Sequence, residues 1–127
     1  GISVEWHQRM KFRDYIRSFD DVAIGLAPLS LDSPFSQGKS FGKVLAYLDS
    51  RVPVICSDAG EHGAFFTPEI GVMSNDPDVW CGAAVQLLDD PTLRQHMANA
   101  AFDAFRKTFS LKAAAAKTDS ALRGCIA

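Results

Sequence analysis

The chain reads as an α/β domain built on a parallel sheet flanked by helices. Three observations predict this. The segments 22–29 (VAIGLAPL) and 52–57 (VPVICS) are apolar at nearly every position, as strands covered on both faces are. Between them, Phe41, Val44, Leu45 and Leu48 fall on one face of a helix. Beyond them, Asp76-Pro77 and Asp90-Pro91 each set a capping residue before a proline at the first helical position.

Each element follows in order. Residues 2–6 (ISVEW) alternate and predict a short strand. Phe12, Tyr15, Ile16 and Phe19 form one apolar helical stripe that ends near Asp20. The strand at 22–29 is stopped by Pro28, and a polar loop is expected over 30–38. A helix starts near Ser40, and the strand at 52–57 carries Pro53 near its start, where a missing N–H matters least. Residues 59–70 read as a loop with one helical turn, and 71–74 as a short last strand. Apolar pairs then recur every four residues from Val79 and Trp80 to Leu87 and Leu88. A further helix is expected from Pro91 to about Phe109, and Ser110 is placed to cap another through the alanine-rich tail. Without a linker or internal repeat, residues 1–127 form a single domain in the order β-α-β-α-β-(α)-β-α-α-α, with right-handed crossovers placing helices on both faces.

Composition narrows the function classes. Of 127 residues 47% are apolar, and 13 basic against 15 acidic side chains leave a net charge of −2, so no field for a polyanion exists and nucleic acid is not an expected partner. Cys56, Cys81 and Cys125 lack metal or redox spacing and read as reduced thiols, the first two in the core. His7, His62 and His96 are scattered, so no metal or other cofactor is expected. No long apolar run or leader pattern is visible, which predicts a cytoplasmic domain or one peripheral to the membrane.

In a parallel sheet, ligands bind at the carboxyl ends of the strands, which directs attention to the loops 30–39 and 58–64. At the first of them, Ser40 is placed as N-cap of a helix whose unpaired amides at Phe41, Gly42 and Lys43 face outward and suit an anion. Gly42 would admit a ligand close to the backbone. Lys39, Lys43 and Ala46 project opposite the apolar stripe, and two ammonium groups at one helix mouth suit a phosphate or diphosphate. The plain alternative is a solvated face, and the pattern is not a Walker A loop. His62, within the second loop, has proton-transfer chemistry, with an exposed loop histidine as its simplest reading.

Taken together, the segments VAIGLAPL, PFSQGKSFGKVLAYLDSRVPVICSDAGEHGAFF and NDPDVWCGAAVQLLDDPTLRQHMANAAFDAF resemble the donor-binding, C-terminal domain of a GT-B glycosyltransferase of the group 1, or family 4, type, over residues 20–110. The resemblance implies a Rossmann-like domain that holds a nucleotide-diphosphate sugar without metal, with retention of configuration, and passes the sugar to a glycan, lipid-linked or protein acceptor. It implies that Gly38, Lys39, Ser40, Gly42 and Lys43 face the ribose and diphosphate, with Glu61 near the sugar or phosphates. Two glutamates common in that family are replaced here by Gly38 and Ala46, and Glu61 replaces a glycine. The first strands of the six-stranded family domain are missing. A partner is therefore expected from the N-terminal domain of the same protein, or from a second copy at the open sheet edge. The family's catalytic groups are not identified in this chain, so no turnover is expected from it alone. A second reading is a degenerate, non-catalytic GT-B-like module that binds a protein or glycan.

Overall fold

The computed structural model describes residue 1 and residues 3–126, with the side chains of residues 64 and 126 left aside. In chain order the elements are α1 (Phe12–Arg17), β1 (Gly25–Ala27), α2 (Pro34–Gln37), α3 (Gly42–Asp49) and β2 (Val54–Cys56). A 3₁₀ turn (His62–Ala64) follows, then β3 (Gly71–Met73), α4 (Pro77–Asp89), α5 (Pro91–Thr108) and α6 (Leu111–Ile126). The three strands form one parallel sheet in the order β1-β2-β3, with Leu26, Ile55 and Val72 in register across it. The molecule is thus a mixed α/β domain with helices on a parallel, Rossmann-like sheet.

Side-chain alternation divides the core between the two sheet faces. On one face Ala27, Val54 and Cys56 meet Val44 and Leu48 of α3 and Ala101 of α5. On the other, Ile55 meets Ala83 and Leu87 of α4 and Met97 of α5. Helix α5 joins both clusters and so ties the two layers together. Gly25 permits the close approach of α3, because a β-carbon there would run into the ring of Tyr47. Phe19 is buried and packs on that same ring, with centroids 5.0 Å apart.

The helix starts follow local chemistry. Asp76 accepts from the Asp78 amide at 2.9 Å, Asp90 from the Leu93 amide at 2.8 Å, and Ser110 from the Ala113 amide at 3.2 Å. Arg51 ends α3 in the left-handed region (φ 57°), and its guanidinium lies 3.9 Å from the Phe102 ring centre, a cation–π contact that helps hold the turn.

Four expectations need correction. Residues 3–6 are not a strand, and Ile2, the remaining expected apolar position, lies outside the described residues. Alternation alone forms no strand without a neighbour to bond, and Val4 and Trp6 remain exposed. The strand at 22–29 contracts to three residues and is covered on one face only. Leu26 is 49% exposed because β1 is the sheet edge and α4 packs over Ile55 rather than reaching it. Cys81 is exposed, while Cys56 alone of the three thiols is buried. The loop at 30–38 contains α2, which has Pro34 in its first turn after Ser33.

Candidate functional site

Three loops leave the carboxyl ends of β1, β2 and β3 and meet there. Ser57, directly after β2, holds the first two together. Its Oγ accepts from the Leu29 amide at 2.9 Å, and its hydroxyl lies 3.3 Å from the Leu29 carbonyl. Asn75, after β3, grips the same loop from the other side. It accepts from the Asp58 amide and donates to the Asp58 carbonyl, both at 2.9 Å. Gly60 lets the β2 loop lie against the β1 loop, since its φ is +59° and a β-carbon would stand 3.2 Å from the Lys39 carbonyl oxygen.

Two depressions lie side by side at this end of the sheet and share Pro28 and Leu29. The larger, of about 330 Å³, is an apolar crevice bordered by Leu29, Ser57, Ser74, Asn75, Trp80 and Cys81. Trp80 is fixed there by its indole N–H, which donates to the Ser74 carbonyl at 2.8 Å. The smaller, of about 60 Å³, is lined by Lys39, Ser40, Lys43 and His62 below the end of β1. That volume suits one phosphoryl group or a couple of waters.

The sequence-derived candidates divide between these places. Lys39, Ser40 and Lys43 line the small cavity. The Lys39 ammonium rests 5.0 Å from the Phe35 ring centre, so its charge is held at the rim by a cation–π contact. Ser40 is not the N-cap of α3. Phe41 takes that position, its ring held between Phe65 and Phe109 at 4.6 and 5.3 Å, and without a side-chain oxygen it makes no cap bond. The α3 amide end therefore keeps its donors unused by any cap, and Ser40 keeps its hydroxyl for the cavity.

The other candidates lie elsewhere. Gly38 ends α2, where its amide bonds to Pro34. Gly42 and Ala46 border a different depression, among Phe12 and Ile16 of α1 and Phe105 of α5. Glu61 is exposed at the start of the 3₁₀ turn, outside both depressions. Ala46 and Lys43 are neighbours in helical projection, yet Ala46 borders the depression beside Phe12 and Ile16. Lys43 instead lies toward β1.

His62 is the largest departure from expectation. It is only 3% exposed, not an exposed loop histidine. Its Nδ1 lies 2.8 Å from the Ser57 carbonyl oxygen. A carbonyl only accepts, so Nδ1 carries the proton, and in the neutral ring Nε2 presents a lone pair. The loop after β3, equally at a carboxyl end of the sheet, brings Ser74 and Asn75 to the crevice, with Trp80 and Cys81 from the first turns of α4 beside them, although none of the four was a sequence-derived candidate. Among the described residues, no three His, Cys, Asp or Glu side chains gather as metal ligands would, and no helix is long and apolar enough to cross a membrane.

No known protein-family model matches the chain, and no curated protein matches it.

Proposed function

We infer that the chain is the donor-binding portion of a GT-B type glycosyltransferase, holding a nucleotide-diphosphate sugar at the carboxyl ends of its strands. One observation carries this reading: Lys39, Ser40 and Lys43 converge with His62 on a single cavity that opens beside a larger apolar crevice. A phosphoryl group in the cavity would meet the side chains of Lys39 and Lys43 and the Ser40 hydroxyl. A flat, partly apolar group beside it would lie against Trp80. An acceptor site and the groups that transfer the sugar would come from the N-terminal domain expected above.

A second reading, a non-catalytic module for a protein or glycan, has its own support. Ala46 faces the α1 side of α3, so no carboxylate at the family's second glutamate position reaches the cavity. Titration calorimetry with UDP, GDP and their glucose and mannose esters separates the two. The donor reading expects binding at or below millimolar concentration, weakened about tenfold by Lys43→Ala and less by Lys39→Ala, whose ammonium is already engaged with Phe35. Absence of binding by the unaltered protein would abandon the donor reading in favour of the second.

A further inference from the structure

Resting on that reading, we propose that His62 is a specificity-determining residue, whose Nε2 accepts a hydrogen bond from a hydroxyl of the sugar carried by the bound phosphate. The argument begins with burial. A side chain 3% exposed must place both ring nitrogens with partners or with solvent. Nδ1 is taken by the Ser57 carbonyl at 2.8 Å. Among the described residues Nε2 has no protein hydrogen-bond partner, and no sealed side-chain nitrogen or oxygen is left unpaired. Nε2 therefore keeps access to solvent, and His62 borders the cavity of Lys39, Ser40 and Lys43.

That nitrogen differs from the two ammonium groups of the cavity, which only donate, while the Ser40 hydroxyl can do either. With Nδ1–H directed at the Ser57 carbonyl, Nε2 of an uncharged ring can only accept. The terminal phosphate of UDP or GDP, fully ionised, gives an uncharged Nε2 nothing to accept, and the ribose hydroxyls lie beyond the α-phosphate at the other end of the ligand. A phosphate ester whose next group carries a hydroxyl satisfies both kinds of site at once. Since the cavity is about 60 Å³, the sugar itself must extend into the crevice of about 330 Å³, with only its phosphoryl group and one hydroxyl edge inside. A site with a buried acceptor discriminates against ligands that leave it unpaired.

The experiment uses two substitutions that separate the ring nitrogens. Asparagine can reproduce the Nδ1 donor to Ser57 but does not reach as far as Nε2. Glutamine reaches as far as Nε2. UDP and GDP, each with its glucose or mannose ester, are titrated calorimetrically against the unaltered protein, His62→Asn and His62→Gln, with melting temperatures recorded for all three. The expected result is tighter binding of an ester than of its parent diphosphate. His62→Asn should remove that preference, weakening the ester about tenfold and the diphosphate less than twofold, and His62→Gln should restore part of it. Equal weakening of ester and diphosphate by His62→Asn, or no effect on either, overturns the role of His62 while leaving the phosphate site intact. If the unaltered protein binds none of the four ligands, the donor reading falls and this inference falls with it.

Discussion

The backbone carbonyl of Lys39 lies 3.2 Å from where a β-carbon on Gly60 would stand, and Gly60 itself has a φ of +59°. The loops after β1 and β2 therefore touch at the one residue able to adopt that conformation without strain. Gly60→Ala would cost about 1–2 kcal/mol from the left-handed backbone, with a further displacement of the Lys39 segment. Thermal unfolding should show a melting temperature several degrees lower. Nucleotide binding should weaken with it, because Lys39 and Ser40 would move relative to His62. A variant that melts like the unaltered protein would mean that the two loops are not held together in this way.

Asn75 fastens the same loop from the third strand, with both amide atoms used on Asp58 at 2.9 Å. The site is solvent-accessible, so water replaces part of what is lost, and Asn75→Ala should cost about 1 kcal/mol in urea unfolding. Hydrogen exchange at the Asp58 amide should quicken well beyond that of the β2 amides. Asn75→Asp keeps the oxygen that accepts from Asp58 N–H but loses the donor to the Asp58 carbonyl, so its cost should fall between the two.

Ala46 offers a sharper test of how the sequence should be aligned with function. A glutamate at that position on an outward-facing α3 would be expected to contact ribose and tighten nucleotide binding. Here Ala46 instead borders the depression beneath Phe12 and Ile16, away from the lysine cavity. Ala46→Glu should therefore leave UDP and GDP affinities within about twofold, below the effect of one hydrogen bond to a charged group. It should also loosen α1, seen as faster proteolysis near Phe12. A marked gain in nucleotide affinity would place the ligand on the α1 side of α3, contrary to the arrangement described above.

The parts of this molecule that were legible in the sequence are those decided within a few residues. Asp76, Asp90 and Ser110 cap the helices they were expected to cap, and β1 and β2 lie within the continuous apolar runs that predict them. The exposure of Cys81 was also legible, since it lies off the stripe of Trp80, Ala84 and Leu87. What was not legible depends on distant partners. ISVEW has the rhythm of a strand, yet a strand needs a neighbour, and no local pattern supplies one. Likewise His62 is buried because Ser57 and the β1 loop close over it, a contact set by two loops separated in sequence. Ala46 and Lys43 share a side in helical projection, yet they border different depressions, a division set by tertiary packing.

Cys56 supplies a prediction that does not depend on any ligand. Its thiol is fully buried between the sheet and α3, and burial first, then the Asp58 charge, raises its pKa from the ordinary 9.0 to about 12. The folded state thus resists losing this proton while the unfolded chain releases it near the ordinary value. For a group raised on folding, the stabilisation is complete below the unfolded pKa and is lost as pH rises toward the folded one. Urea unfolding should therefore show stability falling from about pH 9 upward, and Cys56→Ala should flatten that fall, whatever it costs in packing at neutral pH. Thiol labelling gives an independent check. Cys81 and Cys125, both exposed, should react with a disulfide reagent at pH 8 in the native protein, and Cys56 only as fast as the protein opens. If Cys56 labels as quickly as the exposed pair, the packing of α3 on the sheet is looser than its buried Val44 and Leu48 indicate.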